Sequence, residues 1–319
     1  MRRNSPWLIL AVLVIVVVVV AFLVARAQQS RPLSQPFDSS ALRAIDPALI
    51  SHHQIAEWSI GLDDPRAMVI AGDGTVLVLG PDAVVGIDGT GAQRLRWSIP
   101  VAATALAARD ERMLIAEGGR IHAVTADGAL DLVVDLGSDS HVTALDLIDG
   151  DLVVADARRR QVLRLDSEGA LVNTIPPIEG HHYLVPDMTM ALHGHAGVVH
   201  VVNPGRLRIE SYDLAGNQVN RTGAAGSRIE DFVGCHNPIA LFVGDQGFIT
   251  GEKGVARVKI LDPDGRLLGV VATPGDFANP KAVRAVAQDA HGRVLVLDGH
   301  RRTVRVFAAL AVDSEDAAE

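Results

Sequence analysis

The chain has 319 residues, a net charge of −9, 4% aromatic residues and one cysteine, Cys235. The acidic balance argues against general nucleic-acid binding, a lone cysteine excludes an intrachain disulfide, and a core so poor in aromatics must be built from Val, Leu, Ile and Ala. Basic residues are almost all Arg, with Lys only at 253, 259 and 281.

Arg2 and Arg3 precede an uncharged, apolar run from Trp7 to Ala25. That run approaches the ~20 residues a helix needs to cross a bilayer and exceeds the apolar core of a secretory signal, roughly 7–15 residues. Residues 1–27 therefore read as a cytoplasmic N-terminus and a transmembrane signal anchor, with the charges favouring the N-terminus inside. Ala25-Arg26-Ala27 also fits a cleavage site, so a released form is the alternative. Either way the body lies outside the cytoplasm, in the periplasm if the cell has two membranes. Residues 28–52, rich in Ser, Gln and Pro, form a linker, with a helical turn possible at 41–49.

From Gln54 a unit recurs, and its turn residues before the second strand are Gly74, Glu111, Gly150, Gly197, Gly247 and Gly292. A period of about 40–50 residues with four strands per unit predicts propeller blades, and no amphipathic 3.6-residue pattern supports a helical solenoid. The clearest copy is 231–265. Here Ile239–Val243 is apolar, Gly247 opens Phe248–Thr250, Glu252-Lys253-Gly254 reads as a polar loop, and Arg257–Leu261 alternates as a half-buried strand. The sixth copy stops after its third strand at Phe307, while Gln54–Ile60 is an orphan strand. The economical reading is that the orphan completes blade six and closes the ring. The fold class expected is all-β: a six-bladed propeller of four-stranded blades over 53–310, preceded by one transmembrane helix and followed by an acidic tail, 311–319.

Propeller topology sorts the loops onto two faces. One collects Arg158, Arg159, Arg160, Arg206, Glu252, Lys253, His300, Arg301 and Arg302. The other collects Asp-Gly pairs at 73, 88, 127, 149 and 264, which read as hairpin chemistry. Arg clusters recognise carboxylates and phosphates bidentately, so Arg158–Arg160, Lys253 and His300–Arg302 form a candidate site for a protein or anionic ligand. A solvated Arg-rich loop is the bland alternative. His141, His182, Cys235 and His236 precede blades three, four and five and could point towards one channel end as ligands of a divalent metal. No HExxH or CxxC spacing supports that set, and no cofactor is otherwise expected. His193-x-His195 and His200 read as surface residues. Cys235 is either a buried packing residue or a ligand, redox site or bond to a partner chain.

The pattern apolar-Val-x-Asp/Glu, polar loop, Arg-Val/Ile-x-Val/Ile, Asp-x-x-Gly resembles the NHL repeat over 54–307. It is best matched at Ala155-Asp156…Val162, Glu252-Lys253-Gly254…Arg257-Val258 and Leu297-Asp298…Val304, and least in blades one and two. The chain also looks like a bacterial NHL-like subgroup in which Gly-Cys-Cys-Asn-Pro precedes a Glu-Lys-Gly…Arg-Val-Lys blade, with His236 standing where the second Cys would be. The basic face makes a binding propeller the leading reading; NHL-like propellers include metal-dependent lyases, so the resemblance implies an enzyme, a metal-dependent lyase or lactonase, as the rival. A structural subunit of a membrane complex is the third.

Overall fold

The computed structural model describes residues 40–311 except Asp110, together with Val17 and Val19. It separates residues 1–41 from a unit spanning 42–319. The expected anchor at 7–25 otherwise lies outside the described residues. Among those residues no helix is long and apolar enough to cross a membrane.

The second unit is a ring of six four-stranded antiparallel sheets. β1 is His52–Ser59. Blade one is β2 (Ala67–Ile70), β3 (Val76–Leu79), β4 (Ala83–Ile87) and β5 (Gln93–Ser98). Blade two is β6 (Ala105–Arg109), β7 (Arg112–Glu117), β8 (Arg120–Val124) and β9 (Leu130–Asp135). Blade three is β10 (Val142–Ile148), β11 (Asp151–Asp156), β12 (Gln161–Leu165) and β13 (Leu171–Ile175). Blade four is β14 (Leu192–His195), β15 (Val198–Asn203), β16 (Arg208–Asp213) and β17 (Gln218–Thr222). Blade five is β18 (Ala240–Gly244), β19 (Gly247–Glu252), β20 (Arg257–Leu261) and β21 (Leu267–Ala272). Blade six has β22 (Val283–Gln288), β23 (Val294–Asp298) and β24 (Thr303–Ala309), and takes its outer strand from the other end of the chain, in the order β1-β24-β23-β22. The orphan strand therefore closes the ring, with His52 opposite Ala309 and Ser59 opposite Thr303.

A blade cannot bury its own two faces, and the core accordingly lies between blades. Six apolar clusters each join one adjacent pair, so the ring is stitched all the way round. Val76, Val78 and Ile87 of blade one meet Leu295, Leu297 and Val306 of blade six, and Trp58 of β1 seals that seam. A Cβ at Gly91 would lie 2.3 Å from the Trp58 ring, and Gly91 has φ +90°, so only glycine serves there.

We call the face carrying the loops between blades and between second and third strands the upper face. The Asp-bearing hairpin turns fall on the lower face, as their spacing suggested. Their carboxylates accept backbone N–H groups two residues on, Asp73 from Thr75 and Asp88 from Thr90. Hydrogen bonds from Thr75, Thr90, Thr125 and Asn217 hold Asp73, Asp88, Asp127 and Asp213 below the usual carboxylate range.

One part of the sequence reading is corrected inside blade five. Glu252 ends β19 and is fully buried, not part of a loop, and β20 is buried along its whole length. Its polar residues do not face water. Arg257 makes a two-point ion pair with Glu252, Nε to Oε1 at 2.7 Å and Nη2 to Oε2 at 3.1 Å. Lys259 reaches Glu252 Oε1 at 3.1 Å and donates to the carbonyls of Ile229, Glu230 and Asp231.

Candidate functional site

The upper loops are built from the ends of the second strands. Asp156 Oδ1, fully buried, accepts from the backbone N–H of His141, Arg158 and Arg159 at 3.0, 3.1 and 3.1 Å. Asp298 does the same for His300 and Arg301 at 3.0 and 2.9 Å. In blade four Asn203 accepts from Leu184 N–H. Arg160, Leu207 and Arg302, each just before a third strand, then take left-handed φ of 57°, 54° and 58°. The acidic end of the repeat motif thus fixes the basic loop that follows it. Asp156→Ala leaves three N–H groups without an acceptor and should cost about 1–3 kcal/mol, read as a lower Tm. Asp156→Asn keeps Oδ1, as Asn203 does, and should cost less; equal losses would show that charge, not capping, matters.

The basic residues do not form one patch. Arg158–Arg160 belong to blade three and His300–Arg302 to blade six, on opposite sides of the ring. Several are engaged locally. Arg158 and Arg159 donate to the carbonyls of Ser138 and Leu136. Arg302 pairs with Asp63 at 2.8 Å, and Arg301 lies 3.6 Å from Glu57. Lys253 is paired with Asp187. Arg160, Arg206 and His300 are exposed and make no ion pair among the described residues.

The Gly-Cys-His-Asn-Pro loop stands between blades four and five. Buried Asn237 organises it, donating to the carbonyls of Val233 (2.6 Å) and Lys253 (2.9 Å) and accepting from Lys253 N–H. Lys259 and Arg257 brace the approach to the loop from below, through the carbonyls of residues 229–231. The Glu-Lys-Gly…Arg-Val-Lys segment is thus the strut of the cysteine loop. His236 takes φ +66° and its Nδ1 lies 3.7 Å from Asp187 Oδ2. Cys235 is exposed, which rules out the buried packing role. Asp187, which joins His236 and Lys253, was missed by sequence reasoning: it sits in a long inter-blade loop with no spacing signal.

A channel of about 910 Å³ runs through the ring. Its upper end is lined by Asp64, Arg66, His141 and Arg284, its middle by apolar residues of the inner strands, and its lower end by Arg109, Asp146, His193, His195 and Asp245. Of the four expected metal ligands, His141 lines the channel, His182 is exposed, and His236 and Cys235 stand on their own loop. Among the described residues no three His, Cys, Asp or Glu side chains are grouped to hold a metal ion. His193, His195 and His200 are not free surface residues as expected. All three face blade five, His193 against the Phe242 ring at 4.7 Å, His195 with Nε2 3.2 Å from Asp245, and His200 against Phe248 at 5.4 Å.

No family model matches the chain, and no curated protein does. Resemblance to the NHL repeat therefore rests on the motifs and blades alone. Solved structures do match. A streptogramin B lyase is 12% identical with a TM-score of 0.58, covering 83% of this chain and 100% of its own. A gluconolactonase from Xanthomonas campestris is 16% identical with a TM-score of 0.56, covering 81% and 99%. A Bacteroides thetaiotaomicron protein of unknown function is 14% identical with a TM-score of 0.61, covering 81% and 72%. At these identities the likeness is one of fold: the chain is a six-bladed propeller, and its structural neighbours include lyases and lactonases.

Proposed function

We propose that the chain is a membrane-tethered, extracytoplasmic propeller whose upper face binds a protein or another anionic partner. The observation that carries this reading is that the basic side chains Arg160, Arg206 and His300 are left without carboxylate partners, Arg160 and His300 on loops whose backbone is held by buried Asp156 and Asp298. Rigid presentation lowers the ordering cost of binding, and unpaired guanidinium groups suit carboxylates and phosphates. The apolar run at 7–25 supports the tether. Full-length chain extracted from membranes should keep residues 1–27 by intact mass and bind an octaglutamate peptide in a salt-sensitive way. Arg160→Ala with Arg206→Ala should weaken that binding roughly tenfold, the scale of about 1.4 kcal/mol. Loss of residues 1–27, or binding unchanged by the double variant, would overturn the corresponding half of the proposal.

A second reading is favoured by one local observation. Cys235, His236, Asp187 and Lys253 bring a thiol, an imidazole, a carboxylate and an ammonium group to one loop cluster, and the structural neighbours include a streptogramin B lyase and a gluconolactonase. Under this reading the upper face turns over a ligand. Activity abolished by His236→Ala and by Asp187→Asn, with octaglutamate binding intact, would select it.

A further inference from the structure

Two neighbouring seams of the ring share a contact that the next seam has only in reduced form. Between blades six and one, Trp58 on the outer strand β1 covers the Gly91 turn, its ring 2.3 Å from where a Cβ would lie. Between blades one and two, Trp97 on β5 covers the Gly128 turn in the same way, at 2.8 Å. Trp58 pairs with Val304 and Trp97 with Val84, each the second residue of its blade's third strand. In that register β9 carries Val134, opposite Ile121, and Val134 covers the Gly169 turn of blade three. Valine lacks the bulk of an indole, and a groove of about 350 Å³ opens beside it on the rim of the ring. The two blades are pinned at both ends of the groove. Below, a Cβ at Gly169 would lie 2.7 Å from Val134 Cγ2 and 3.0 Å from the Val133 carbonyl oxygen, so glycine lets the turn press against β9. Above, Arg159 Nη2 donates to the Leu136 carbonyl at 3.1 Å. Leu163 and Leu165 give the groove a buried apolar floor, while Val133 and Leu171 line it and stay exposed.

We propose that this groove binds an extended segment of a partner protein that carries a tryptophan flanked by lysine or arginine. The chain itself shows the fit of the ring, since at two equivalent registers an indole occupies the corresponding place. A large aromatic in a pocket is also the commonest anchor of a protein contact. β9 is the last strand of its sheet, in the order β6-β7-β8-β9, so its outer edge has no strand partner. An extended segment can add to such an edge through backbone hydrogen bonds, and its side chains on the face shared with Val134 then lean over the groove. Leu132 and Val172, also exposed, widen the apolar surface beyond one ring. Charge sets the flanks. Arg159 is held on the Leu136 carbonyl, and Arg120 lies 3.5 Å from Asp135. Asp131 and Glu168 are exposed and make no ion pair among the described residues. The unpaired charge at the rim is therefore negative and favours a cationic flank over an acidic one. This partner is opposite in charge to the anionic one of the upper face, and the two surfaces are independent.

The test titrates the full-length chain in detergent against a fluorescein-labelled peptide, Lys-Val-Trp-Val-Lys, read by anisotropy. It should bind with a Kd below about 1 mM, and peptides with Ala for Trp, or with Glu for both Lys, should bind at least roughly tenfold more weakly. Leu171→Glu, at a position 61% exposed, should weaken binding by roughly tenfold or more with Tm unchanged. Val134→Trp should abolish binding by filling the groove from within, as Trp97 does at its own seam. If that variant does not fold, Leu171→Glu decides alone. Arg160→Ala with Arg206→Ala should leave peptide binding unchanged. No binding, equal binding of either control peptide, or binding that survives Leu171→Glu or a folded Val134→Trp would each overturn the proposal. So would a concentration-dependent dimer that Leu171→Glu dissolves, because it would assign the groove to a second copy of this chain.

Discussion

A chain beginning at Leu62 should melt far below one beginning at Ser51, or fail to fold. The second retains β1 and the first does not. Without β1, the edge of β24 from Thr303 to Ala309 loses its hydrogen-bonded partner. Trp58, 6% exposed, leaves the seam between blades one and six, and Arg305, 4% exposed, loses the Gln54 acceptor of its Nε and Nη2. A large buried side chain removed by itself costs about 3–5 kcal/mol, so Trp58→Ala should be severe even with the strand in place. Loss of the whole strand should consume most of the roughly 5–15 kcal/mol that holds a domain together. Equal Tm values for the two chains would show that the ring does not depend on its own N-terminus for closure.

The second large effect belongs to the charges inside blade five. Glu252 is the carboxylate ion-paired with both Arg257 and Lys259, and all three are buried. Glu252→Ala leaves two buried cations facing each other, a change that costs about 3–5 kcal/mol. Replacing all three by apolar residues of similar size should cost less than the single variant, because the desolvation penalty goes with the charges. Burial, partly offset by Glu252, lowers the Lys259 ammonium to about 8. The unfolded chain holds that proton up to about 10.4. Between these values the unfolded state binds more protons, so the Lys259 contribution to stability rises as pH increases from about 8. Denaturant midpoints across that range should slope upward in the native chain and flatten in Lys259→Met. A slope that survives the substitution would assign it to another group.

These two regions also mark where the sequence was legible and where it was not. Ring closure could be read because a strand count is arithmetic: a sixth unit one strand short and one strand to spare have a single economical solution. The lower-face turns could be read because Asp and Gly have local reasons to be there. The burial of Arg257 and Lys259 could not. An alternating strand has the same pattern whether its polar face meets water or a loop from the preceding blade, and what covers β20 is the segment 229–231. The basic loops were assigned to the correct face, but their grouping was not legible. Adjacency on a ring depends on blade number, and Arg158–Arg160 and His300–Arg302 are three blades apart. His193, His195 and His200 looked like surface residues because a turn flanked them. The turn is indeed at the surface; the strands that leave it line the channel and the seam.

The pairing of His52 with Ala309 has a bearing on how the molecule is held. It brings the first and last strand residues of the ring to the same corner of the lower face, at the outer edge of blade six. Just beyond the ladder, Leu310 N–H donates to the Ser51 carbonyl at 2.8 Å. The upper loops lie at the other pole of the ring. A fusion partner joined just after Ala309 would therefore stand beside β1, at the opposite pole from Arg160, Arg206 and the cysteine loop.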